Sequence, residues 1–169
     1  LPPDTTARRD STYFCPFGGY HNILFSNGGI CVTSNGGSYQ AGPLPSVAAI
    51  LSVRGVIDLF RRLMQMTQQR GYEYGTFLTL VDGKIRYTGI GTSEDPIHVW
   101  LGKPPENAIA NVHTHGDAGP GIPGGWPSGD DRNYHNSLPG MHSFVLSSRH
   151  IWYIPAGYFG VDDRAGVVA

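Results

Sequence analysis

The chain is short of charge. Only 15% of its 169 residues are Asp, Glu, Lys or Arg, and 12 basic against 13 acidic residues leave a formal net charge of −1. No broad basic field is therefore available to gather nucleic acid or an anionic membrane surface. Long apolar runs are missing too: nothing approaches the roughly 20 residues of a bilayer span, and the opening LPPDTTARRD lacks the apolar centre of a signal peptide. Cysteine is scarce. Cys15 and Cys31 have no zinc-knuckle spacing, so a disulfide in an oxidising compartment and two free thiols are equally open. The His-x-Glu with Cys-x-x-Cys pattern of zinc deaminases is also absent.

Glycine and proline are plentiful, at 24 and 13, which implies many turns around a core of one domain's size. A start at Leu1 instead of Met is what a domain cut from a longer protein would show, and it leaves localisation open. Residues 1–45 read as an N-terminal extension. In it NILF and GICVTS flank an Asn27-Gly28 turn, and Asn35-Gly36-Gly37 makes a second turn.

From Ser46 the pattern becomes helical. Val47, Ile50, Ile57, Phe60 and Met64 recur at helical spacing, with Ser46 as N-cap and Gly71 as stop, so one long helix is expected over Ser46–Arg70. Strands are expected at Phe77–Val81 and Lys84–Tyr87 around the Asp82-Gly83 turn, at Ile97–Leu101, and at Ala108–His115. SFVLSS and HIWYIP read as a closing hairpin about Ser148-Arg149. The sum is an α/β (α+β) fold, a mixed sheet with a long packing helix.

The chemistry gathers at ANVHTHGD and, beyond the Gly/Pro-rich loop Gly116–Pro127, at PSGDDRNYHN. Residues i and i+2 of a strand share a face, so His113 and His115 could present both imidazoles to one metal ion. Zinc takes nitrogen and oxygen ligands tetrahedrally, and a catalytic site leaves the fourth position open. Asp131, three residues after Ser128, is placed to turn a carboxylate back towards the strand end. Asp117, Asp130 and His135 compete for that role. His98, His142 and His150 are expected to be structural or surface histidines, and Trp126 an apolar anchor.

A glutamate at position 73, then His113-Thr114-His115, a spacer and Ser128-x-x-Asp131 together resemble the JAMM/MPN family of zinc metallopeptidases. The resemblance covers about residues 46–155 and is to the bacterial JAMM-like domains at the C-termini of Rhs and polymorphic toxins in particular. Here the spacer after His115 is longer than the family's, and Gly116 stands where a proline often follows. The resemblance implies an MPN-like, cytidine-deaminase-like layered fold with a curved sheet, and a catalytic domain over 46–169. It also implies Zn2+ held by His113, His115 and Asp131, Glu73 as general acid/base, and Ser128 as oxyanion donor. An amide-hydrolysing peptidase or isopeptidase would follow, with a protein or peptide substrate. Within a toxin or effector delivered into a target cell, an immunity protein would be its partner. Two alternatives are a catalytically silent MPN-like binding module and a metal-dependent nuclease, although the latter would call for a basic groove.

Overall fold

The computed structural model describes residues 13–14, 20–22, 30–33, 35–40, 42–116, 127–138, 140–157 and 167–168. Cys15, Asp117 and Trp126 lie outside them, and with them the disulfide question, one competing ligand and most of the loop Gly116–Pro127. Five short strands occupy the N-terminal extension: β1 (Tyr13–Phe14), β2 (Tyr20–Asn22), β3 (Ile30–Val32), β4 (Ser38–Gln40) and β5 (Gly42–Pro43). They pair with one another, β1 with β5 and β2-β3-β4 in order. The expected hairpin is thus formed by β2 and β3, although NILF contributes only Asn22 to it; Ile23–Gly29 lies outside the described residues. The second turn is closed by Gly36 N–H on Thr33 O at 3.0 Å, with Gly36 at φ 84°.

The expected single helix is two. Ser46 caps α1 (Val47–Leu51) by accepting from Ala49 N at 3.1 Å. The chain then breaks before α2 (Arg54–Arg70), whose C-cap Gly71 adopts φ 74°. The break has a local cause: the Ser52 hydroxyl donates to Ala49 O at 2.6 Å, and the β-branched Val53 is extended at ψ 115°. A serine that bonds its own backbone ends the first helix, and Val53 O starts the second by accepting from Val56 N at 3.0 Å.

The remaining strands are β6 (Gly75–Val81), β7 (Lys84–Tyr87), β8 (Ala108–Thr114), β9 (His142–Leu146), β10 (Ile151–Ile154) and β11 (Val167–Val168), and nine-residue α3 (Gly129–Ser137) lies between β8 and β9. They form one mixed sheet in the order β11-β10-β9-β8-β6-β7, parallel only between β8 and β9. The protein is therefore a mixed α+β protein. Asp82 and Gly83 take φ 51° and 74° in the turn between β6 and β7, the left-handed pair that a two-residue hairpin requires.

Period-two alternation gives the sheet two different faces. On one, Ala110, Val112, Phe144 and Leu146 pack against Val56, Leu59, Phe60 and Leu63 of α2, forming the main core. On the other, Phe77, Ala108 and Met141 form a smaller cluster, with Ala108 brought out of step with Ala110 by the register shift between Leu78 and Thr79.

Ile97–Leu101, expected as a strand, is not one. Its ends are set by Pro96 and by Gly102 at φ 75°, and its amides bond to side chains: Ile97 N to Asp95 Oδ1 at 2.8 Å and Trp100 N to Ser93 Oγ at 2.9 Å. Asp and Ser side chains here take amides that a sheet neighbour would otherwise have claimed. Gly75 allows the segment to close on β6, since a Cβ there would sit 2.5 Å from Leu101 Cδ2 and 2.8 Å from Val112 O.

Candidate functional site

β8 runs through the middle of the sheet, and its last residues carry the His-x-His pair. His113 faces away from α2, and His115, just past the strand end, follows it; both are buried, at 7% exposure each. Their Nε2 atoms lie 3.2 Å apart. Thr114 between them faces the core, where its Oγ1 meets Thr67 Oγ1 at 2.5 Å.

Ser128 and Asp131 begin α3 as a capping box. Ser128 Oγ accepts from Asp131 N at 3.1 Å, and Asp131 Oδ2 accepts from Ser128 N at 2.7 Å. The Ser-x-x-Asp spacing is thus a helix-start signal in its own right, and the bond that caps the helix also aims the carboxylate. Asp131 Oδ1 comes to 3.0 Å from His113 Nε2, and Oδ2 to 3.0 Å from His115 Nε2. Burial raises the Asp131 pKa, but the charge and hydrogen bond of His113, with those of His115, outweigh it and hold the group well below the carboxylate range.

Glu73 precedes β6 and is buried at 5% exposure. Its backbone is pinned on both sides: its N–H donates to Asp95 O at 2.9 Å and its carbonyl accepts from Thr92 Oγ1 at 2.8 Å. The carboxylate stands 4.0 Å from His115 Nε2. Burial pushes its pKa from 4.5 up to about 8; His115 opposes that shift while Asp131 and Asp95 add to it.

His113, His115 and Asp131 could together hold a metal ion. Bonds of about 2.0–2.1 Å in a tetrahedral shell put neighbouring donors about 3.3 Å apart. The two imidazole nitrogens, 3.2 Å apart, are close to that spacing, and each lies 3.0 Å from a different oxygen of Asp131, so that one donor atom from each residue falls within 4.8 Å of the others. Two imidazole nitrogens and a carboxylate also suit zinc better than calcium or magnesium, which take oxygen ligands. The group opens on a cavity of about 400 Å³ whose lining includes Glu73, Ser128 and the segment from Pro96 to Gly102.

Of the competing ligands, Asp117 lies outside the described residues, and Asp130 and His135 stand apart from the three-donor group, as do two of the other histidines. Asp130 is exposed in the first turn of α3, lining the cavity but outside the His113–His115–Asp131 group. His135 is buried on α3 with Nδ1 2.7 Å from Ser143 Oγ. His98 is on the exposed cavity rim, 3.7 Å from Asp95. His142 lies between backbone groups of Pro45 and Ala156. What the strand assignment hid was the apolar wall: Ile97 is 53% and Trp100 84% exposed, and both line the cavity. The Pro96 and Gly102 brackets were the available signal.

Comparison of the chain with family models, with curated proteins and with solved structures returns no match.

Proposed function

We propose that the chain is a zinc-dependent hydrolase of amide bonds, a peptidase or isopeptidase on the JAMM/MPN plan. The observation that carries it is the convergence of three donors, from His113, His115 and Asp131, beside the buried Glu73 carboxylate at the mouth of one cavity. A bound zinc would supply Lewis acidity there, giving water nucleophilic character near neutral pH and polarising the amide carbonyl.

The remaining work falls to side chains of the chain itself. Glu73 is not among the three grouped donors, and at 4.0 Å from His115 Nε2 it is near enough to exchange a proton with a water beside them. Its raised pKa belongs to the chain without a cation, and a divalent charge nearby would draw it back down, leaving a base near neutrality. Glu73 then takes the proton of the attacking water and returns it to the leaving amine. Ser128 Oγ accepts from Asp131 N, which leaves its O–H to donate to the oxygen that becomes negative in the transition state.

The wall of Ile97, Val99, Trp100 and Leu101 supports a polypeptide substrate with an apolar side chain beside the scissile amide. A cell lysate treated with zinc-loaded wild type or with Glu73→Gln tests the activity, by comparing new amino termini and lysines freed from isopeptide links. Products seen only with wild type are expected; identical product sets at high enzyme would contradict the proposal.

A further inference from the structure

We infer that His135 is a positioning residue: through Ser143 and Asn111 it seats α3 on the sheet and so holds the Asp131 carboxylate against His113 and His115. This extends the metal-centre reading above and rests on it.

At nine residues, α3 is too short to persist by itself, since isolated helices below about 12–15 residues are marginal in water. Contacts with the rest of the protein must hold it. Its sequence, GDDRNYHNS, offers little apolar surface for that purpose, and its one fully buried side chain is His135. The C-cap Leu138 adds a partly buried contact with Phe77, Ala108 and Met141. With Tyr134 half-buried besides, the apolar face is still small, and polar bonds must add to it.

Those bonds are present. His135 Nδ1 lies 2.7 Å from Ser143 Oγ on β9, and Asn111 Nδ2 on β8 donates to that same oxygen at 2.9 Å. Asn111 and Ser143 are register partners in the parallel pair, and exposures of 1% for Asn111, 1% for His135 and 4% for Ser143 put the chain of bonds out of reach of water. A hydroxyl at position 143 can accept from Asn111 and donate to His135 at once, so each link supports the next.

The connection to the site is geometric. His135 is four residues after Asp131, on the same side of α3, and His113 is two residues after Asn111, on the same face of β8. The closed circuit runs from His135 through Ser143 and Asn111 along β8 to His113, across 3.0 Å to Asp131, and back along α3. Ser128 fixes the near end of the helix to the carboxylate, and His135 fixes the far end to the sheet. Without the second attachment, α3 could pivot and the donor spacing would open.

Two substitutions separate positioning from mere filling of space. His135→Phe keeps a ring but no bond to Ser143, whereas His135→Asn keeps a polar atom near the place of Nδ1. Zinc affinity, read by competition with a chromogenic chelator, is expected to fall roughly 10–100-fold in the Phe variant and to recover mostly in the Asn variant. In zinc-free protein, the α3 amides of the Phe variant should exchange faster while those of β8 and β9 keep their protection. Wild-type zinc affinity and α3 exchange in His135→Phe, or no recovery in His135→Asn, would overturn the inference. Should His135→Phe fail to fold, Ser143→Ala replaces it with the same expected loss. A wild type that binds no zinc would overturn the metal centre, while the exchange comparison would still decide whether His135 docks α3.

Discussion

Thr67 of α2 and Thr114 of β8 bring their hydroxyl oxygens to 2.5 Å, and the same Thr114 oxygen accepts the Tyr74 amide proton at 2.9 Å. One side chain thus joins the His-x-His strand to the packing helix and to the residue after Glu73. Thr114→Val preserves shape but leaves the buried Tyr74 N–H and Thr67 hydroxyl without that partner. The expected cost is about 1–3 kcal/mol, read as a fall of several degrees in Tm. An unchanged Tm would show that the bonds contribute nothing.

Glu73 should be separable from metal binding. In Glu73→Gln, zinc content is expected to match wild type while turnover falls roughly 10²–10⁴-fold, because the amide cannot take a proton. The metal-free protein gives an independent check. The folded pKa of about 8 lies above the ordinary 4.5, so the contribution of Glu73 to stability is full below 4.5 and is lost as pH rises through about 8. Urea midpoints should therefore fall with pH more in wild type than in Glu73→Gln, and parallel midpoints would contradict the burial effect.

His142 predicts an acid limb of stability. Its Nε2–H donates to Pro45 O at 2.8 Å and its Nδ1 accepts from Ala156 N at 2.9 Å, so a second proton would set two donors against each other. Burial depresses its pKa below 6.5, although the Pro45 carbonyl opposes the shift. A depressed folded pKa means stability that is present above 6.5 and lost as pH falls towards and through the folded value. An NMR titration should find His142 neutral below the ordinary histidine range; a normal titration would refute this.

Trp100 should act on substrate binding and not on the fold, because it is 84% exposed at the cavity rim. Trp100→Ala is expected to keep Tm and zinc content while raising KM about tenfold for peptides with an apolar residue at the scissile bond. Polar-flanked peptides should be less affected. Equal kinetics for both peptide classes would remove the wall from substrate choice.

Much of the site was legible because its spacings are also local structural signals. The two histidines share a face because strands alternate, and Ser128-x-x-Asp131 is a capping box whether or not a metal is present. The interval residues were harder. Thr114 is as informative as its neighbours, but its role depends on α2, more than forty residues earlier in the chain. Ile97–Leu101 looks like a strand by composition, and only the competing Asp95 and Ser93 bonds turn it into a wall. The helix break at Ser52-Val53 was hidden by apolar spacing that continues across it. His135 reads as a competing ligand in the sequence, and nothing in its own neighbourhood announces Ser143 as its partner.

The central claim is that His113, His115 and Asp131 form one metal centre, and stoichiometric zinc titration against a competing chelator tests it most directly. Wild type is expected to bind one zinc per chain, with His113→Ala, His115→Ala and Asp131→Ala each losing most of the affinity and the double histidine variant losing all of it. Wild-type zinc binding in the folded His113→Ala/His115→Ala protein would contradict the account.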